Sequence, residues 1–215
     1  MSMAVDVKIC GLSDEAAVAA AVDGGAAMVG FVFFPPSPRN VTVERALELG
    51  AGVPRGVIRV GLVVDADDDR LADIAGRAGI DLLQLHGDET PDRVRDIRER
   101  FGLPVMKVLP VLEAEDVDQA RKYEDVADRL MFDAKPPLGA TRPGGNARAF
   151  DWSLVSGVDC KLPWMLAGGL TADNVVEALK ISGAGAVDVS SGVEDAPGSK
   201  NPEKIRAFLD TVKAL

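Results

Sequence analysis

Short apolar, β-branched runs return about every 25 residues along this chain, and the stretches between them carry apolar residues at helical spacing with charged residues on the other face. That rhythm is a βα repeat. The strand candidates are residues 7–10, 28–34, 58–64, 82–85, 105–109, 129–133, 164–167 and 186–189, eight in all. Helix starts are marked by capping residues, Ser13 before Asp14-Glu15, Thr42 before Glu44, Thr90 before Pro91-Asp92 and Thr171 before Ala172-Asp173. Helix ends are marked by Gly24-Gly25, Gly50, Gly79, Gly102 and Gly183, where a left-handed residue lets the chain turn back toward the next strand.

Eight strands alternating with eight helices fit two architectures, an open doubly wound sheet or a closed barrel, and periodicity does not separate them. An open sheet of the dinucleotide-binding kind carries Gly-x-Gly-x-x-Gly after its first strand, whereas this chain has Cys10-Gly11-Leu12-Ser13 there. Strand count and the length of 215 residues favour the barrel. The expected fold is therefore α/β, a single-domain (β/α)8 TIM barrel spanning residues 1–215, with no interdomain linker.

A formal net charge of −10 opposes nucleic acid and anionic membrane surfaces at long range, so an anionic ligand needs a local positive field. No run of about 18 uncharged apolar residues is available to span a bilayer, and the first ten residues lack the apolar stretch of a signal peptide. The expectation is a soluble, unprocessed protein. Cys10 and Cys160 lie far apart, and Cys10 sits in an apolar run where a disulfide partner is hard to supply, which fits a reducing cytoplasm. One histidine and two distant cysteines offer no metal-ligand cluster of usual spacing.

In a parallel barrel all strand C-termini open on one face, so residues far apart in sequence reach one substrate. Cys10 closes the first strand two positions after Lys8, and alternation turns both side chains into the barrel. Its plain reading is a small buried hydrophobe; the strand-end position favours a base, provided a dipole or cation supports the thiolate. Asp133 closes the sixth strand after Leu130-Met131-Phe132, where a carboxyl is costly to bury alone. It is either bridged to a neighbour such as Lys135 or a general acid.

The last two βα loops, Ala167-Gly168-Gly169-Leu170 and Val189-Ser190-Ser191-Gly192-Val193-Glu194, occupy the positions where barrels hold a phosphate. Their glycines admit an anion close to backbone N–H donors, with seryl hydroxyls beside them. Arg39, on a proline-rich loop after strand two, is placed to hold a carboxylate bidentately or to stand solvated. His86 ends strand four, where it orients substrate or bonds nearby backbone. The stretch 135–149, rich in proline and glycine, falls on the same face, where a long loop is usually a lid or binding element.

Taken together, Lys8-Ile9-Cys10-Gly11, Gly30-Phe31-Val32-Phe33 with Ser37-Pro38-Arg39, Gln84-Leu85-His86-Gly87, Phe132-Asp133, Gly144-Gly145 with Phe150-Asp151-Trp152, Ala167-Gly168-Gly169-Leu170 and Asp188-Val189-Ser190-Ser191-Gly192-Val193-Glu194 resemble the phosphoribosylanthranilate isomerase family of tryptophan biosynthesis. The resemblance implies an Amadori rearrangement of N-(5-phosphoribosyl)anthranilate to 1-(2-carboxyphenylamino)-1-deoxyribulose 5-phosphate, with no cofactor. It implies Asp133 as general acid at the ring oxygen and Cys10 as general base at C2 of the sugar. It places Arg39 on the anthranilate carboxylate, His86, Gly144, Gly145 and Asp188 about the substrate, and Gly168, Gly169, Ser190, Ser191 and Gly192 on the phosphate. The expected partner is one small phosphoribosyl molecule, the protein acting as a monomer or homodimer in the cytoplasm.

The chain departs from the family pattern at Gly144-Gly145-Asn146-Ala147, where Gly-Gly-Thr-Gly is usual, and losing the last glycine restricts the backbone of that loop. Two rivals remain at this stage. A histidine-pathway isomerase typically has aspartate at the end of strand one, where this chain has Cys10, and a silent phosphosugar-binding barrel needs neither Cys10 nor Asp133.

Overall fold

The computed structural model describes residues 5–136, 143–145 and 149–215. Eight strands, β1 (Asp6–Cys10), β2 (Met28–Val32), β3 (Ile58–Val63), β4 (Leu82–Leu85), β5 (Val105–Val111), β6 (Arg129–Ala134), β7 (Trp164–Leu166) and β8 (Ala186–Val189), close into one parallel barrel in sequence order. Closure is made by β1, which pairs with β2 on one side and β8 on the other. The open-sheet alternative is thereby removed.

Strand alternation divides the core in two. Inward-facing Met28, Val60, Leu82, Met106, Val108, Met131, Met165 and Ala167 fill the barrel, and four methionines among them fit an interior with few aromatics. Outward-facing Ile9, Val29, Phe31, Leu83, Leu85, Leu130, Phe132 and Val187 meet the helical shell. Above the inner layer, Cys10, Val32 and Leu62 form a small apolar collar with Phe34 and Val64, opening toward the strand C-termini.

The shell comprises α1 (Glu15–Asp23), α2 (Val43–Gly50), α3 (Asp68–Arg77), α4 (Pro91–Phe101), α5 (Ala114–Asp118), α6 (Val175–Ser182) and α7 (Pro202–Lys213). Thr42 and Thr90 cap α2 and α4 as expected, each accepting a backbone N–H three residues on. At α1 the cap is Asp14 rather than Ser13, because the Asp14 carboxylate reaches Ala17 N. Thr171 does not cap α6 either. Asn174 accepts from Thr171 N, closing a turn that postpones the helix to Val175. Gly102 and Gly183 end α4 and α6 in the left-handed conformation, whereas Gly50 lies inside α2, which Ala51 caps.

Eight helices were the expectation, and the described residues contain seven α-helices. Between β6 and β7 stands a 3-10 turn, Trp152–Val155, held by the Asp151 carboxylate on Ser153 N and Oγ. Ser156, Gly157, Asp159 and Pro163 follow it, a composition poor in helix formers. Sequence periodicity also gave no sign of the hairpin β9 (Glu194–Ala196) and β10 (Ser199–Lys200) in the last loop. No helix among the described residues is long and apolar enough to cross a membrane.

Candidate active site

On β1 the alternation turns Lys8 and Cys10 inward, and both are buried. Facing them across the β1–β8 seam, Asp188 accepts from Lys8 Nζ at 2.7 Å, an ion pair inside the barrel below the thiol. Burial disfavours the ammonium, but the Asp188 carboxylate and the Cys10 sulfur together outweigh it and hold the Lys8 pKa above the ordinary lysine value. For Cys10, burial pushes the thiol above its usual range, and the nearby Lys8 ammonium acts against that shift. The supporting cation that a basic thiol requires is therefore Lys8, two residues away on the same strand.

Room for this trio comes from Gly30, which pairs with Cys10 in the β1–β2 register. A Cβ there would lie 3.1 Å from Cys10 Sγ, 3.2 Å from Cys10 Cα and 3.2 Å from Lys8 Nζ. Gly30→Val therefore forces a branched side chain against a backbone atom and a buried ion pair. We expect it to lower stability by about 1–3 kcal/mol, as overpacking does, and to reduce turnover. Urea unfolding beside a rate assay checks this, and wild-type values in both would contradict the packing.

On the opposite side of the mouth, Asp133 is buried at the top of β6, where Oδ1 accepts Ala134 N at 2.8 Å. It is not bridged to Lys135, which pairs with Asp116 at 3.3 Å. Among the described residues, His86 stands beside it, with Nε2 3.3 Å from Oδ2 but without the geometry of a hydrogen bond. On the other ring edge Gln84 Nε2 approaches His86 Nδ1 at 3.3 Å. With the amide NH2 in that orientation Nδ1 is the acceptor, and the matching tautomer has its N–H at Nε2, toward Asp133. The His86 loop is fixed from behind: Lys107 Nζ donates to Gly87 O at 2.6 Å and to Glu89 at 2.7 Å, and Glu89 accepts from Gly87 N and Asp65 N.

Arg39 is buried, not solvated. Its Nε and Nη2 donate to the two oxygens of Glu194 at 2.7 and 2.8 Å, so the bidentate partner present is an internal carboxylate from the last loop. Burial opposes charge on Glu194, but Arg39 and Lys200 outweigh it and hold its carboxyl below the usual range. Lys200 Nζ donates to Glu194 at 2.7 Å and to Ser190 O at 2.9 Å. Neither Glu194 nor Lys200 was a candidate from sequence, since nothing local marks their partners.

Two adjoining cavities open at the mouth of the barrel. Gly144, Gly145, Gly168, Gly169, Ser190 and Ser191 line the first. Cys10, Arg39, Gln84, His86 and the apolar Val32, Phe34, Leu62 and Val64 line the second. Asp133, Asp188, Ser190, Gly144 and Gly145 border both, so the site is continuous. Gly192 is not among the lining residues; a Cβ there would stand 1.9 Å from Leu170 O, so it lets the last loop close against the one before.

Gly144 and Gly145 close over the centre. A Cβ on Gly144 would fall 2.7 Å from the His86 ring and 3.0 Å from Asp133 Oδ2, and Gly145, at φ +70°, lies against Arg39 Nη1. Asn174 Nδ2 donates to Gly169 O at 3.0 Å and steadies the glycine pair of the seventh loop. The atypical Asn146-Ala147 lies outside the described residues.

The site thus brings a thiol, a carboxyl, an imidazole and a guanidinium around one cavity, with a glycine- and serine-lined end beside it. Residues 7–211 match the family model of N-(5'-phosphoribosyl)anthranilate (PRA) isomerase. The N-(5'-phosphoribosyl)anthranilate isomerase of Paramagnetospirillum magneticum is 61% identical over 211 residues, covering 98% of both chains. Among solved structures, phosphoribosyl anthranilate isomerase from Thermotoga maritima superposes with a TM-score of 0.87 at 35% identity, covering 98% of this chain and 100% of that one. A phosphoribosyl anthranilate isomerase in complex with reduced 1-(o-carboxyphenylamino)-1-deoxyribulose 5-phosphate gives 0.82 at 32% identity, with the same coverage. The chain belongs to the N-(5'-phosphoribosyl)anthranilate isomerase family.

Proposed function

We propose that this chain, as one catalytic barrel domain, converts N-(5-phosphoribosyl)anthranilate to 1-(2-carboxyphenylamino)-1-deoxyribulose 5-phosphate in tryptophan biosynthesis. The observation that carries the reading is that Cys10 and Asp133, from strands on different sides of the barrel, border the same cavity beside a glycine-rich anion pocket. The phosphate lies against Gly168, Gly169, Ser190 and Ser191, where backbone N–H groups and hydroxyls replace the positive charge this acidic chain lacks. The anthranilate ring rests on Val32, Phe34, Leu62 and Val64, with its carboxylate on the Nη edge of Arg39 that Glu194 leaves open. That orientation brings the ribose between the thiol and the carboxyl.

Asp133 gives its proton to the ring oxygen, the C1–O bond breaks, and the nitrogen lone pair forms the Schiff base. Cys10, as thiolate, then takes the proton from C2, and the electron pair moves through C1 to nitrogen, giving the enolamine that tautomerises to the ketone. Lys8 balances the thiolate, and Asp188 holds Lys8 in place while facing the ribose. A free thiol at this position suits a reducing cytoplasm. A histidine-pathway isomerase is disfavoured because, among the described residues, the substrate's second end meets an apolar collar and Arg39 rather than a second glycine- and serine-lined cradle.

The direct test is loss of anthranilate-linked fluorescence when purified protein meets freshly made N-(5-phosphoribosyl)anthranilate. Wild-type protein that leaves the signal unchanged would overturn the reading. Arg39→Ala is expected to raise KM by roughly 10- to 100-fold, the range for a charged hydrogen bond, with a smaller change in kcat. Unchanged affinity for the reduced product analogue would take Arg39 out of the carboxylate-binding role.

A further inference from the structure

The Arg39 side chain is held from three directions. Its Nε–Nη2 edge is taken by Glu194 at 2.7 and 2.8 Å. Its stem lies over Gly11, where a Cβ would stand 2.6 Å from Cδ, and its Nη1 lies against Gly145, where a Cβ would stand 2.5 Å away. Of the three, only Glu194 determines which way the planar fork faces, because a bidentate pair fixes the plane of both partners. Glu194 is itself pinned. Lys200 Nζ holds Oε1 at 2.7 Å and ties it to Ser190 O at 2.9 Å and Ser190 Oγ at 3.2 Å, while Gly198 N donates to Oε2 at 3.3 Å.

The hairpin carrying these groups packs on the arginine loop, for a Cβ on Gly198 would meet Pro38 O at 2.6 Å. One buried carboxylate thus joins the second loop, which carries Arg39, to Ser190 in the loop lining the anion pocket. The hairpin forms a two-stranded sheet of its own, outside the closed barrel.

We propose that Glu194, anchored by Lys200, is a positioning residue that aims the free edge of Arg39 at the aryl carboxylate and so sets preference for a carboxylated aryl amine. The inference rests on the carboxylate-binding role of Arg39 given above. Glu194 acts through Arg39 and touches no substrate atom.

The test compares two probes by calorimetry, reduced 1-(o-carboxyphenylamino)-1-deoxyribulose 5-phosphate and the same compound lacking the ring carboxylate. Glu194→Gln, which keeps the shape and loses the charge, should weaken the carboxylated probe roughly 10- to 100-fold and the other less than about threefold, raising KM more than it lowers kcat. In an Arg39→Ala background the same substitution should add nothing to the loss. Glu194→Asp keeps the charge between both cations, guarding against misfolding, and should give a smaller selective loss. Equal weakening of both probes, or wild-type binding of both by Glu194→Gln, overturns the proposal. Wild-type protein that binds the two probes equally would instead refute the role of Arg39 itself.

Discussion

Cys10→Ala is expected to cut kcat by roughly a thousandfold, within the ~10²–10⁴ range for a positioned acid or base, while the reduced product analogue still binds. The substitution removes one sulfur from an apolar collar, so the barrel keeps its closure and the Lys8–Asp188 pair keeps its 2.7 Å contact. The pH profile supplies the sharper signature. A thiol base works as thiolate, so with Cys10 in that proposed role kcat/KM should rise with pH through the thiol's ionisation. In the free protein that limb lies above the ordinary cysteine range, because burial pushes the thiol up and Asp188 adds to it, against Lys8 and Lys200. Lys8→Met deletes the stronger of those two opposing charges and should move the limb to still higher pH. If Cys10→Ala retains the limb, or turns over near the wild-type rate, another group is the base.

That prediction rests on a feature open to sequence reading. Lys8 and Cys10 fall on alternate positions of a five-residue strand, and alternation alone sends both inward. The same argument places Asp133 on the mouth, and the repeat supplies the eight strands, while their closure into a barrel shows only in the pairing of β1 with β8. What periodicity does not contain is the identity of long-range polar partners. Lys8 meets Asp188 across 180 positions, and Arg39 meets Glu194 across 155, with nothing in either local pattern to name the other. Arg39 therefore has two sequence readings, a ligand grip or a solvated side chain, and burial against Glu194 removes the second. The helix expected between β6 and β7 fails for a local reason: Asp151 closes a 3-10 turn, and the residues after it are poor helix formers. His86 shows the opposite case, a secondary candidate in sequence whose placement 3.3 Å from Asp133 makes it part of that carboxyl's surroundings.

Asp133→Asn should match Cys10→Ala in size, roughly a thousandfold in kcat, and differ in what it does around it. The amide is nearly isosteric, and its oxygen can keep the 2.8 Å bond that Oδ1 accepts from Ala134 N. Its NH2 then faces His86 Nε2, so two donors meet where a donor now faces a carboxylate oxygen. The ring relieves this by moving its proton to Nδ1, which in turn needs an acceptor. Gln84 provides one, since its Oε1 is buried without a partner and a flip of the amide brings that oxygen to the ring. The variant should consequently fold and bind the reduced product analogue with near-normal affinity, yet show a changed His86 tautomer in its ring-nitrogen NMR shifts. Loss of kcat with the tautomer switch would assign proton donation to Asp133 and only orientation to His86. A variant that raises KM while turning over at the wild-type rate would make Asp133 a binding group, and the proton for ring opening would have to come from elsewhere.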